Sequence, residues 1–211
     1  MTPRRTGLRR NLAVLVVALA GGALWGCTAM KPEDFAGTTP ELRIEEYFNG
    51  RSKAWGLFQD RFGTIRRQFA VDIDGRWDGT TLTLTEDFAY DDGEKEQRIW
   101  RLRKTGPSTY AGRADGVVGE AVGVASGRAF NLRYTFDLKV GDGTWRVSFD
   151  DWMVLQPDGV IINRATVAKW GVEIGTVSLF FRRVEQAAAN SNNAKGAGAP
   201  LKAAALAGAA D

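Results

Sequence analysis

Four charged side chains fall where strand alternation otherwise puts apolar ones, and these are the residues of this sequence best placed to do chemistry. Glu86 shares a face with Leu84 and Phe88, and Asp151 with Phe149 and Met153. Arg98 shares one with Trp100 and Leu102, and Arg164 with Val160 and Ile162. A carboxylate carried into an apolar interior without a partner costs several kcal/mol or takes up a proton. Two acids and two arginines turned inward could therefore form the polar floor of a ligand cavity, recognising a head group or hydroxyls. They could equally form an internal ion pair with no ligand, or a bulge at Asp150-Asp151 could turn Asp151 outward. Catalysis is a further use of the same groups: two carboxyls about 5–10 Å apart can act as acid and base on a sugar or lipid.

Two absences shorten the list of reactions. The sequence has no histidine, which excludes imidazole bases, Ser–His and Cys–His nucleophiles and His-ligated metals. Its one cysteine, Cys27, lies at the end of an N-terminal apolar run, so the domain that follows has no disulfide, thiolate nucleophile or Cys-ligated zinc. No Ser-x-x-Lys motif occurs, and nothing calls for a cofactor. The acidic group Asp87, Asp91, Asp92 and Glu94 does not have EF-hand spacing and reads as a solvated hairpin, so no metal site is expected. Tryptophans beyond the leader, among them Trp55 and Trp152, could stack on a ligand or simply fill the interior. These considerations favour binding over catalysis, with Glu86, Arg98, Asp151, Trp152, Arg164 and Trp55 as the candidate ligand-binding residues.

The elements that would position them are strands. Phe130, Leu132, Tyr134, Phe136, Leu138 and Val140 alternate with polar residues. Phe69, Val71 and Ile73, then Leu82 and Leu84, then Val147 and Phe149 repeat the pattern. Asp-Gly pairs at 74–75, 78–79, 92–93, 142–143 and 158–159 supply the positive φ that tight hairpins need. Short sequential connections and one apolar face per strand predict an all-β fold, an antiparallel up-and-down barrel of about 8–10 strands.

The ends of the chain are of another kind. Arg4, Arg5, Arg9 and Arg10 precede an apolar run, Leu12 to Leu24, which fits a signal peptide over 1–26. Leu24-Trp25-Gly26-Cys27 resembles the lipobox of bacterial lipoproteins, with Trp25 where a small residue is usual. That resemblance implies a lipidated Cys27, a membrane anchor and, with Thr28 following, the outer membrane facing the periplasm. Without the four leader arginines the formal charge of +3 becomes 24 basic against 25 acidic side chains, so nucleic acid is not an expected partner. Residues 27–40 read as lipidated cysteine and tether, 41–184 as the barrel domain and 185–211 as a disordered Ala/Gly/Asn-rich tail.

Within 41–184 the sequence resembles the family of bacterial lipoproteins catalogued as domain of unknown function 3833. The resemblance rests on Tyr47-Phe48-Asn49-Gly50, Ala54-Trp55-Gly56 through Gln59-Asp60-Arg61, and Val71-Asp72-Ile73 before Trp77. It continues through Val117-Val118-Gly119, Phe149-Asp150-Asp151-Trp152-Met153, Ile162-Asn163-Arg164-Ala165 and Ser178-Leu179-Phe180-Phe181-Arg182. It implies lipoprotein character and assigns no activity; a lipocalin-like barrel is expected by analogy. The first functional expectation is a lipid-anchored envelope protein that holds a small amphiphilic or hydrophobic ligand. An adaptor that docks a protein partner and a carboxylate-dependent hydrolase are the alternatives.

Overall fold

Ten strands follow one another around a closed barrel in the computed structural model, which describes residues 29–184. They are β1 (Gly50–Asp60), β2 (Ile65–Trp77), β3 (Thr81–Tyr90), β4 (Lys95–Lys104) and β5 (Thr109–Arg113). The second half is β6 (Val117–Ser126), β7 (Ala129–Val140), β8 (Gly143–Leu155), β9 (Ile161–Lys169) and β10 (Val172–Arg183). Each strand is antiparallel to its sequence neighbours, and β1 pairs with β10 to close the sheet. Closure leaves no edge strand unpaired. The expected all-β up-and-down barrel is what the chain forms. The expected signal peptide over 1–26, Cys27 and the expected tail over 185–211 lie outside the described residues.

Alternation fixes which side is in. Val71 and Ile73, Leu82 and Leu84, Trp100 and Leu102, and Phe130 and Leu132 are all buried on the inner face. Charge goes outward, in cross-strand pairs such as Lys53–Asp72 (3.3 Å) and Arg146–Asp137 (2.8 Å). That polarity is the reverse of a barrel that spans a bilayer.

Three of the five Asp-Gly pairs make turns as expected, with Gly79, Gly93 and Gly159 at positive φ. Asp78 shows the mechanism: its Oδ1 accepts from the backbone N–H of Thr80 (2.8 Å) and Thr81 (2.7 Å). The other two depart from expectation. Asp74-Gly75 lies inside β2, and the β7–β8 turn is Gly141-Asp142, with Gly141 carrying the positive φ.

One end of the barrel is stoppered by a single helical turn, α1 (Ile44–Tyr47), which strand alternation does not foreshadow. Leu42, Ile44, Tyr47 and Phe48 are all buried in the core there. Tyr47 OH reaches the carbonyls of Gly159 (3.0 Å) and Phe181 (3.1 Å). Glu45, also buried, accepts from Tyr110 OH (2.7 Å) and from Lys104 Nζ. Burial pushes the Glu45 carboxyl up, but those two donors outweigh it and hold it below its ordinary value. Removing this anchor leaves the Tyr110 hydroxyl buried without its acceptor. Glu45→Ala is therefore expected to cost about 2–3 kcal/mol, read by urea unfolding. A Tyr110→Phe partner variant should show the two losses to be non-additive.

The stretch before α1 is not the free tether that its composition suggests. A 3-10 turn, Pro32–Phe35, packs over β6 and β7. Thr38 Oγ1 accepts from Arg128 N (3.0 Å), Arg128 Nη2 donates to Thr39 O, and Leu42 N donates to Gly127 O (2.8 Å). From Pro32 onward this segment is a strap on the outer wall.

Candidate functional site

Above the α1 stopper the barrel is hollow. A cavity of about 350 Å³ runs up the interior and comes to the surface beside exposed Lys139, at the end opposite α1. Its floor is Ile44 and Phe48, and its walls are largely aromatic. Tyr134 stacks on Phe149 with ring centroids 4.8 Å apart and meets Trp100 edge-on at 5.2 Å. Phe69, Phe88 and Tyr90 form a second cluster at 5.6–5.9 Å. Such a lining suits an apolar guest, and the volume lies within the usual range for small-molecule sites.

Into this apolar space project a few polar groups from β3, β4, β8 and β9. Glu86 stands directly opposite Arg98 in the β3–β4 register. Arg98 nevertheless turns its Nη2 to Glu96 Oε1 (2.7 Å) and is held over the rings of Phe136 (4.9 Å) and Phe88 (5.1 Å). Glu86 is left with no hydrogen bond or ion pair among the described residues, although it lines the cavity. Asp151 accepts from Asn163 Nδ2, which also donates to Trp152 O (3.1 Å). Asn163 Oδ1 is buried without a partner among the described residues. Nearer the mouth, Arg67 lies over the Tyr90 ring (3.5 Å) and pairs with Asp92 (3.0 Å) and Glu94.

Burial sets the protonation of the two central acids. It pushes Glu86 up to about 7; the positive charge of Arg98 opposes the rise, and Asp151 and Glu96 add to it. Burial likewise pushes Asp151 up to about 7, against the stabilising bond from Asn163. Tyr134 is raised by the same desolvation, with the Asp151 charge next in size, and so stays a neutral hydroxyl. Near neutral pH the cavity thus holds two carboxyls that can each donate or accept a hydrogen bond.

The structure brings Glu86, Arg98 and Asp151 into one cavity, and leaves the other three candidates outside it. Arg164 is exposed on the outer wall, because the inner residues of β9 are Ile161, Asn163, Ala165 and Val167. Ile162, whose face Arg164 shares, is itself exposed rather than inward. Trp152 is opposite Arg164 in register and therefore also outward; it is buried because Phe35 of the strap packs on it at 5.8 Å. Trp55 is exposed, in register with Phe180, which in turn pairs with Ile162, so the three form an apolar row on the outer wall. Asn163, Glu96, Arg67 and Tyr134 belong to the site without being singled out by sequence pattern. Asn163 could have been found by pairing Asp151 with Ala165, which sets the inner face of β9.

Comparison with known proteins adds a family and a distant structural likeness. No curated protein matches the chain. Among solved structures, the S-type phycobiliprotein lyase CPES from Guillardia theta is similar at 12% identity and a TM-score of 0.49, covering 74% of this chain and 93% of that one. The family model described as protein of unknown function (DUF3833) matches residues 22–183. The match takes in the whole barrel together with the strap and the stopper, and the chain belongs to that family.

Proposed function

We propose that this barrel binds a small hydrophobic or amphiphilic molecule, its apolar body against the aromatic walls and its polar group at Glu86 and Asp151. The observation that carries the reading is Glu86: a carboxyl in an apolar hollow, with no hydrogen-bond or ion-pair partner among the described residues. A guest with a hydroxyl, amine or carbonyl would supply that partner, and buried polar groups are costly when left unpaired. A hydrolytic pair has no specific observation in its favour beyond the presence of both carboxyls in the cavity.

Mass spectrometry of organic extracts from natively purified full-length protein tests the reading. One chemical class of small molecule should accompany the wild type in near-stoichiometric amount. It should be lost from Ala165→Phe, which fills the cavity from a buried inner position. Empty extracts from the wild type, together with no uptake of the apolar probe N-phenyl-1-naphthylamine, would end the proposal.

We also propose that the protein is anchored through Cys27 in the cell envelope, at the outer membrane facing the periplasm. Its support is the leader and the Leu24-Trp25-Gly26-Cys27 junction followed by Thr28. Cys27→Ser should abolish the acyl mass increment and release the protein from the membrane fraction; unchanged fractionation and mass would refute the anchor.

A further inference from the structure

The open end of the barrel carries an apolar lip that the fold does not need. Phe62, Ile65, Val140, Trp145, Trp170 and Val172 are all exposed, and all lie at or beside the β1–β2, β7–β8 and β9–β10 turns, at the cavity mouth. Phe62 is 78% exposed and Trp170 90%. Because β1 pairs with β10, β10 with β9 and β9 with β8, these three hairpins form one continuous arc. Arg61 N donates to Ile174 O (3.1 Å), which holds the β1–β2 tip against the start of β10.

Trp170 is the sharpest case. It and Gly171 are the two central residues of the β9–β10 turn, with φ of 53° and 79°. Asn, Asp or Gly suits the first position of such a turn; a bulky aromatic there is strained, and a nearly bare indole also leaves its apolar surface in water. Neither cost improves the barrel. Both are offset if the ring is buried against something else.

Charge indicates what that something is. Lys169 Nζ lies over the rings of Trp145 (3.6 Å) and Trp170 (4.7 Å), and Arg61 over Phe62 (4.8 Å). On this arc Asp60 is paired with Arg66 and Asp137 with Arg146, leaving Arg61, Lys139 and Lys169 against Asp142 and Glu173. Beyond β2 the rim changes character: the neighbouring β3–β4 tip is acidic, with Asp91, Asp92 and Glu94 against Arg67 and Lys95. Aromatic rings beside cations are the pairing that settles at a membrane–water interface, the ring at headgroup depth and the cation among phosphates.

We infer that the arc Phe62–Trp170–Trp145 docks the barrel mouth on an anionic phospholipid surface, tilted so that the acidic β3–β4 tip stays in water. Docked in this way, the cavity opens toward the bilayer, so an apolar guest could pass between them with little exposure to water. The inference rests on the lip alone and does not require a particular guest.

Fluorescence quenching by brominated acyl chains tests it on the full-length chain. The protein is reconstituted in phosphatidylcholine vesicles containing 30% phosphatidylglycerol and then mixed with a second population of the same composition. The brominated lipid is placed in the first population in one arm and in the second in the other, so that docking on the same or an apposed membrane is read. Quenching is expected in at least one arm, mostly lost in Trp170→Phe, and weakened at least about tenfold in affinity by Arg61→Glu with Lys169→Glu or by omitting phosphatidylglycerol. Arg61, Phe62 and Trp170 sit in exposed turns and Lys169 at the half-buried end of β9, and unchanged circular dichroism confirms the fold of the variants. No quenching in either arm overturns the inference, as does quenching that Trp170→Phe and Phe62→Ser leave intact, which would point to the Trp55–Phe180–Ile162 row instead. A mouth-to-mouth dimer in sedimentation, abolished by Phe62→Ser and accompanied by no quenching, would assign the lip to a second copy and overturn it equally.

Discussion

Stability should peak near pH 5 and fall by several kcal/mol by pH 8, and a Glu86→Gln, Asp151→Asn chain should keep most of what the wild type loses. In the folded barrel burial raises Glu86 from 4.5 to about 7 and Asp151 from 3.8 to about 7. Between those limits the native state binds more protons than the unfolded chain, so the free energy of unfolding decreases as pH rises. Each unit of upward shift is about 1.4 kcal/mol, and the loss is complete once pH exceeds the folded values. The acid side of the peak has the opposite sign. Hydrogen bonds from Arg66 hold Asp60 below its ordinary value, those from the Thr81 and Thr80 amides do so for Asp78, and Arg146 does so for Asp137. Their stabilisation is present above the usual carboxylate range and is lost as pH falls through their lowered values. Amides at 86 and 151 leave the acid limb untouched and flatten the other, since the carboxamide that replaces the Asp151 carboxyl retains an oxygen for Asn163 Nδ2. Urea midpoints followed by tryptophan fluorescence from about pH 3 to 9, on protein stripped of guest, give the answer. A flat or rising wild-type profile between pH 5 and 8, or an equal slope in the double amide, would show that the two acids are not buried as described.

The three inward charges that are legible in the sequence lie on strands with one possible register. Leu82 and Leu84 fix β3, Trp100 and Leu102 fix β4, and Phe149 and Met153 fix β8, so Glu86, Arg98 and Asp151 follow. On β9 the neighbouring Ile161 and Ile162 allow two registers, and only pairing with β8 chooses between them. The choice sends Asn163 inward and Arg164 outward. Trp152 escapes sequence reasoning for a different reason. Alternation places it outside correctly, but a strap more than a hundred residues away in sequence covers it, and period alone carries no long-range information. α1 is invisible because four residues are too few to show a helical period. Its effect is legible only in retrospect, in an Asp-Gly pair that sits within a strand.

That pair leads to the second large effect: Gly75→Ala should cost about 3–4 kcal/mol. A Cβ on Gly75 would lie 1.7 Å from Phe48 O and 2.8 Å from Phe48 C, both backbone atoms that cannot rotate away. Phe48 ends α1, its N–H donating to Ile44 O (2.9 Å) and its ring packing edge-on against Phe181 at 5.5 Å. Relief therefore requires α1 to lift as a unit. Lifting it stretches the bonds from Tyr47 OH to Gly159 and Phe181 and draws Glu45 away from Tyr110. Gly63→Ala is the matched control: its φ of +87° makes an L residue strained, but nothing lies within 4 Å of the added methyl, so about 1 kcal/mol is expected. Denaturation midpoints should separate the two. A lifted α1 also opens the cavity floor of Ile44 and Phe48, so N-phenyl-1-naphthylamine should enter Gly75→Ala faster than wild type or Gly63→Ala. If Gly75→Ala unfolds within about 1 kcal/mol of the wild type and admits the probe no faster, α1 does not seal this end, and the cavity has two mouths rather than one.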